Sequence, residues 1–459
     1  MHVHLLGIGG TLMGSLALLA KEMGHSVSGC DMKLYPPMSD QLASAEITVI
    51  EGYDPTCLKQ LAPDCVIVGN AISRGNPVLE AVLAQNLFYT SAPAWMSEHL
   101  LQDRLVLAFA GTHGKTTTTS MAAWILEQAG RTPGFLIGGV PNNWGHSSQL
   151  GKSPYFVIEA DEYDTAFFDK RPKFMHYHPH IFTILNAEFD HADIYPDLAS
   201  ILQQFHYGVR LVPPQGTIIH NLDCPNSKII LEKGCWSQKV GVGLHAGDWH
   251  AQDISPAFDA FTVYQGTQAI GKVQWDLFGQ HNVSNALAAI AACCQVGVPP
   301  RFAVEALSSF SGVKRRMTLI GNYRGTQLFE DFAHHPTAIA TTLAGVKAKN
   351  PQTRLVAAVD FRSNTMKAGK HSLADLYASF SAADEIHIYQ HPNLAWDVGA
   401  LMAKQPDKIR CFTDTRAFSE QLAKDQTVRN IVLCSNGSFE GLSAQLATAL
   451  SQAEQHDAA

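Results

Sequence analysis

Six consecutive residues, Gly111-Thr112-His113-Gly114-Lys115-Thr116, stand between an apolar run at 106–110 and a helical pattern at 117–128 that opens on Thr117. Strand, glycine turn, Lys-Thr and helix in that order aim backbone N–H groups and a helix N-terminus at phosphates. Lys115 adds a point charge for the β- and γ-phosphates, and the Thr116 hydroxyl offers a ligand for Mg²⁺. The usual longer spacing would put glycine at position 109, where Phe109 stands, so the loop is a shortened G-x-x-G-K-T. The plain alternative is a tight strand-to-helix turn with an exposed lysine. The motif points to use of ATP.

Two further strand ends carry chemistry. Residues 155–160 run apolar and then acidic, ending in Glu159-Ala160-Asp161-Glu162. An apolar strand that delivers a carboxylate at its C-terminal edge sets it beside the phosphate loop. Residues 181–185 form the next strand, followed by Asn186-Ala187-Glu188-Phe189-Asp190-His191; a histidine there can reach a metal. Lys115, Thr116, Glu159 and His191 thus make a set for ATP with one or two Mg²⁺ ions. Mg²⁺ prefers oxygen ligands, and one imidazole in a looser second site suggests tolerance of Mn²⁺.

Later residues supply candidates for the other side of a cleft. Arg315 and Arg316 sit in a cationic cluster and could neutralise a migrating phosphoryl group. Asp331, at the end of a strand before Ala333-His334-His335-Pro336-Thr337, could take a ribose hydroxyl. Asn282 and Asn285 share one helical face; they either meet an adenine edge or cap the helix, and capping is the better reading of the residues alone. A basic linker and an ordinary capped turn are the plain alternatives for the arginines and for Asp331.

The elements that must position these groups fall into three α/β segments. Residues 1–101 alternate strands (3–6, 25–30, 66–68) with a helix at 12–23, a βαβ pattern with a parallel sheet. Its first turn contains Gly7, Gly9, Gly10 and Thr11 and brings backbone close to a pyrophosphate, but Leu12 replaces a fingerprint glycine. Asp31 ends the second strand, where an acid commonly meets a ribose. Residues 102–312 hold the phosphate loop. Residues 313–459 alternate strands (327–332, 355–359, 385–389, 430–434) with helices as a doubly wound sheet does, and the tail after Ser451 is expected to fray.

Composition removes several classes. The 459 residues suffice for two to four domains. A net charge of −8 argues against a nucleic-acid surface. Nine cysteines without a C-x-x-C pair suit a reducing compartment. The chain starts in a strand and has no apolar run long enough to span a bilayer. A cytoplasmic enzyme without a membrane partner is the expectation, and the sequence leaves its oligomeric state open.

Six motifs occur in order: G-I-G-G-T-x-M-G, A-G-T-H-G-K-T-T-T, E-A-D-E-Y-D, D-H-A-D-I-Y, G-Q-H-N-x-x-N and D-F-A-H-H-P-T. On these the chain resembles the Mur ligase superfamily along essentially its whole length. The resemblance implies a UDP-binding Rossmann-like domain, a central P-loop ATPase-like domain and a C-terminal Rossmann-like domain. Lys115 would contact the β- and γ-phosphates, Thr116 and Glu159 the first Mg²⁺, and Glu159 with His191 the second. Asn282 and Asn285 would meet the adenine, Asp331 the ATP ribose, and Arg315 or Arg316 the transferring phosphoryl group. Other members use a carbamylated lysine near the second metal; no lysine occurs between His191 and Lys228, so that device is expected to be absent.

The implied reaction is amide formation on the lactyl carboxylate of UDP-N-acetylmuramate. Within the superfamily, the first turn and His-His-Pro look like the branch that adds free L-alanine. The stretches at 69–77, 163–177 and 362–367 look like the recycling branch, which adds the murein tripeptide L-alanyl-γ-D-glutamyl-meso-diaminopimelate. Arg362, Ser363, Asn364 and Lys367 are the candidates for meeting that peptide. The rivals from other classes are a nucleotide-dependent oxidoreductase, suggested by the first turn, and a nucleotide-binding module without turnover.

Overall fold

The computed structural model describes residues 1–391, 394–425 and 427–456. Three sheets of five or more strands organise it. The first is parallel, with spatial order Thr48–Glu51, Ser26–Asp31, His2–Leu6, Cys65–Val68, Tyr89–Ser91. Strand order reverses beside His2–Leu6, and ligands of open α/β sheets bind at the carboxyl ends of strands at such a point.

The central sheet has ten strands. Gly134–Leu136, Tyr155–Ala160, Leu105–Ala110, Ile181–Ile184, Thr217–Asn221 and Gln238–Val242 pair in parallel. The strand carrying the phosphate loop therefore lies between the strands that deliver Glu159 and His191. Trp249–Gln252, Ala260–Gln265 and Gln268–Gln274 extend the sheet as an antiparallel meander that the sequence pattern did not reveal. Alternation along Leu105–Ala110 explains the shortened loop. Val106, Ala108 and Ala110 enter one apolar cluster, while Leu107 and Phe109 enter the other with Met121 and Ile125. Phe109 is a core residue, so the loop begins two residues later at Gly111.

The C-terminal sheet runs Thr318–Tyr323, Thr326–Asp331, Arg429–Cys434, Arg354–Asp360, Glu385–Tyr389, Ile409–Phe412. The four expected strands are present, and the Thr318–Tyr323 edge strand pairs antiparallel. The last helix, Leu442–His456, runs past Ser451, so most of the tail expected to fray is helical. No helix among the described residues is long and apolar enough to cross a membrane.

The first two domains share a core: one apolar cluster joins Val3, Leu16 and Trp95 to Phe156, Phe174 and Phe205. Ser15 Oγ meets Ser147 Oγ at 2.7 Å across the same boundary. The C-terminal domain touches the central one where Phe278 packs against Phe329 and through polar contacts, among them Thr337 Oγ1 to Glu188 Oε2 at 2.6 Å and Asn364 Nδ2 to Asp193 Oδ2 at 2.9 Å.

Candidate active site

Gly114 takes φ +82°, and a Cβ there would lie 2.5 Å from Asn285 Oδ1. Only glycine allows the loop to turn this close to the helix Gln280–Gln295. The helix Lys115–Gln128 then starts with no side-chain cap, which leaves its first N–H groups for a ligand. Thr118, Thr119 and Ser120 bond back to the carbonyls of Gly114, Lys115 and Thr116, so this hydroxyl-rich run is satisfied within the helix. Asn186 clamps the loop: its Oδ1 accepts from His113 N at 2.8 Å and its Nδ2 donates to His113 O at 3.0 Å.

Lys115 Nζ donates to Gly111 O at 2.5 Å and to Glu162 Oε2 at 3.0 Å, with Asp161 Oδ1 at 3.6 Å. Burial works against its charge, but Glu162 and Asp161 hold its pKa above the ordinary lysine value. Thr116 Oγ1 donates to Glu159 Oε2 at 3.2 Å, and the Gly138 N–H donates to Glu159 Oε1. Burial, with Asp161 nearby, pushes the Glu159 carboxyl up to about 7. Asp161 goes the other way: burial opposes its charge, yet Lys173 at 3.1 Å and Lys115 hold it well below the usual carboxylate range.

His191 pairs with Glu162 rather than Glu159. Its Nε2 lies 3.0 Å from Glu162 Oε1, and burial is outweighed by that contact, so the imidazole pKa rises. Glu162 is 1% exposed and links His191 to Lys115. It was not among the residues chosen from the sequence, although it is the last acid of the same E-A-D-E run. Asp161, Lys173 and Asn186 were missed as well. Lys173 stands twelve residues from Asp161, beyond the reach of any local spacing rule.

The two arginines separate. Arg316 Nη2 donates to Thr116 Oγ1 at 3.1 Å. Arg315 turns into its own domain, where it bonds Glu330 Oε1 at 2.9 Å and the carbonyls of Ser435 and Gly437. Asp331 faces the cavity but is already engaged by Met317 N, Ala333 N and Thr342 Oγ1. Asn282 and Asn285 do not cap their helix, whose N-cap is Gly279; Asn282 Nδ2 donates to Phe278 O at 2.8 Å.

Most of these groups surround one cavity of 1330 Å³, which Glu162 and Arg315 do not line. Gly7, Gly10, Thr11 and Asp31 line it from the first domain; Thr112 to Thr117, Glu159, His191, Asn282 and Asn285 from the second; Arg316, Asp331 and His334 from the third. Gly9 stands behind this lining, its N–H donating to Asp31 Oδ2 at 2.8 Å. Asp31 also accepts from Tyr53 Oη and Met32 N. Arg362, Ser363 and Asn364 line an adjoining cavity of 160 Å³ together with Tyr163, Asp190 and His191. Lys367 lines neither.

The donor set suits a hard cation. A hydroxyl oxygen and a carboxylate oxygen 3.2 Å apart, inside a cavity walled by glycine backbone at 138, match the oxygen preference of Mg²⁺.

Comparison with known proteins agrees with this architecture. The family model described as Mur ligase family, catalytic domain, matches residues 2–104; the Mur ligase middle domain matches 109–293; and the Mur ligase glutamate ligase domain matches 315–439. The UDP-N-acetylmuramate–L-alanyl-γ-D-glutamyl-meso-2,6-diaminoheptandioate ligase of Escherichia coli K12 is 46% identical over 454 residues, covering 98% of this chain and 99% of that protein. The UDP-N-acetylmuramate–L-alanine ligase of Desulforapulum autotrophicum is 36% identical over 361 residues, 77% of this chain and 76% of that protein. The crystal structure of a murein peptide ligase from Psychrobacter arcticus 273-4 superposes with a TM-score of 0.77 at 44% identity, covering 98% of each chain. With three matching domain models in order and near-complete coverage by close relatives, the chain belongs to the Mur ligase family.

Proposed function

We propose that the chain is an ATP-dependent ligase that joins the L-alanine end of L-alanyl-γ-D-glutamyl-meso-diaminopimelate to the lactyl carboxylate of UDP-N-acetylmuramate, in peptidoglycan recycling. One observation carries the substrate: 46% identity over 98% of the chain to a ligase named for that tripeptide, against 36% over 77% for one named for free L-alanine.

A carboxylate is not acylated by an amine at neutral pH without activation. The lactyl carboxylate attacks the γ-phosphorus of ATP to give an acyl phosphate and ADP. The tripeptide's α-amine then attacks the acyl carbon, and phosphate leaves. Negative charge gathers first on phosphoryl oxygens and then on a tetrahedral oxyanion. The Lys115 ammonium and the Arg316 guanidinium approach that region from two domains, and fixed charges of this kind stabilise a transition state without reorganisation. Thr116 and Glu159 would hold Mg²⁺, which neutralises phosphate charge when bound. His191 stands at the same cavity for a second ion, Asn282 and Asn285 for the adenine, Asp331 for the ATP ribose, and Gly7, Gly10, Thr11 and Asp31, with Gly9 behind them, for the UDP moiety. We assign Arg362, Ser363 and Asn364, which line the smaller cavity, to the peptide. We assign domain bounds of 1–101, 102–312 and 313–459 and a cytoplasmic setting, where ATP is supplied.

The test is ADP release by the purified protein with UDP-N-acetylmuramate, ATP and Mg²⁺, comparing the tripeptide with L-alanine. Strong preference for the tripeptide is expected. Preference for free L-alanine would move the protein to the alanine-adding branch.

A further inference from the structure

Three side chains able to bind a transition metal meet where the central and C-terminal domains touch. His113 Nε2 lies 3.1 Å from His335 Nδ1 and 3.6 Å from Glu188 Oε2, and His335 Nδ1 lies 3.5 Å from the same oxygen. Ligand atoms held at about 2.0–2.1 Å from a tetrahedral Zn²⁺ stand about 3.3–3.4 Å from one another. The triangle matches one face of that tetrahedron to within a few tenths of an ångström.

The surroundings orient the donors. His335 Nε2 lies 3.2 Å from Phe189 O, a carbonyl that can only accept. Nε2 therefore carries the proton and Nδ1 is the acceptor; it takes the Thr337 N–H at 3.3 Å and faces His113 Nε2 at 3.1 Å, so a bound ion would replace a long helix-cap hydrogen bond at a ring whose second nitrogen is fixed by a backbone carbonyl. The Thr337 hydroxyl donates to Glu188 Oε2 at 2.6 Å and fixes the carboxylate. The His371 ring stands edge-on to His335 with centroids 4.6 Å apart and walls the far side. His335 is buried, whereas His113 and Glu188 keep partial exposure toward the large cavity, so a fourth position is open to water.

We propose that His113, Glu188 and His335 form a three-ligand site for a divalent transition metal of the Zn²⁺ class, separate from the Thr116–Glu159 oxygen pair. Two imidazole nitrogens and one carboxylate favour Zn²⁺ or Co²⁺ over Mg²⁺. His113 binds with its proton moved to Nδ1. Two ligands come from the central domain and one from the C-terminal domain, so the ion fastens the two domains in the arrangement described above. The site does not depend on which amine the enzyme uses.

The test uses the full-length protein, stripped with a chelator and titrated with CoCl₂ without nucleotide. Uptake of one Co²⁺ with the strong visible bands of tetrahedral coordination is expected, displaced by Zn²⁺ and not by excess Mg²⁺. His335→Ala and the near-isosteric Glu188→Gln should each weaken Co²⁺ binding by about tenfold or more, since even losing an outer-shell partner costs about 10- to 100-fold. Glu159→Gln should leave the bands in place. Absence of tetrahedral bands, thiolate charge-transfer absorption in their stead, unchanged affinity in Glu188→Gln, or loss of the bands in Glu159→Gln would each overturn the site.

Discussion

Arg316 Nη2 reaches Thr116 Oγ1 across 3.1 Å, so a guanidinium of the C-terminal domain touches the hydroxyl that closes the phosphate loop of the central one. Arg315, its neighbour, spends its donors on Glu330 and two carbonyls of its own domain. The two positions should therefore separate by readout. Arg316→Ala is expected to lower kcat by about 100- to 1000-fold with little change in Tm, the usual scale for losing one transition-state charge contact. Arg315→Ala is expected to lower Tm and to affect kcat far less. Steady-state ADP release and thermal melts on both variants check this; equal losses of kcat would refute the division of roles.

Glu159 makes stability depend on pH in a defined direction. Its carboxyl is raised to about 7 by burial and by Asp161, from an ordinary 4.5. Between these values the folded protein keeps a proton that the unfolded chain gives up. Its contribution therefore favours the fold at low pH and is lost as pH rises from about 4.5 to about 7. Glu159→Gln cannot ionise. Its stability relative to wild type should grow across that window, by on the order of 1–3 kcal/mol. Under the proposed Mg²⁺ role the carboxylate must be ionised, so activity takes the opposite sign: wild-type kcat/KM should fall as pH drops below about 7. Denaturant unfolding of both proteins at several pH values, without metal, is the measurement. A difference that stays flat with pH would remove the shifted carboxyl.

Lys115 is held by two acids, Asp161 and Glu162, and Glu162 is 1% exposed. Lys115→Ala should abolish ligation and also lower stability by about 1–3 kcal/mol, because buried Glu162 loses one of its two partners and keeps only part of its compensation, from His191. Adding Glu162→Gln to Lys115→Ala should recover part of the Tm and none of the ligation. Melts and ADP release on the single and double variants decide; a double variant no more stable than the single one would show that the stranded charge is not what costs stability.

Much of the architecture was legible because it rests on local pattern. The strand Leu105–Ala110, the turn at Gly114 and the acidic end at Glu159 follow from alternation and glycine chemistry within a few residues of each other. Three-segment organisation followed from repeated strand–helix alternation. What was hidden depends on distance along the chain. Lys173 neutralises Asp161, and Glu162 joins Lys115 to His191; such pairings arise from sheet order, not spacing. The choice between Arg315 and Arg316 turned on Arg315 adopting φ +61° at the domain boundary, which no composition rule foretells. The antiparallel meander was missed because Gln268–Gln274 reads Q-A-I-G-K-V-Q, with only Val273 buried.

The smaller cavity beside His191 gives the last expectation. Arg362 Nη1 lies 3.3 Å from Glu440 Oε1 and 3.4 Å from Ser438 Oγ, partly exposed, so its guanidinium keeps donors for an incoming carboxylate. Asn364 is tied to Asp193, and Ser363 caps the short helix Asn364–Lys367. The tripeptide carries carboxylates that free L-alanine places differently. Arg362→Ala should raise the KM for tripeptide by about 10- to 100-fold, the worth of one charged hydrogen bond of about 1.5–3 kcal/mol, while the KM for ATP stays put. Lys367→Ala should change neither, because Lys367 lines neither cavity. Initial rates with each substrate varied in turn make the comparison. If Lys367→Ala shifts the tripeptide KM and Arg362→Ala does not, the peptide enters from the other side of that helix.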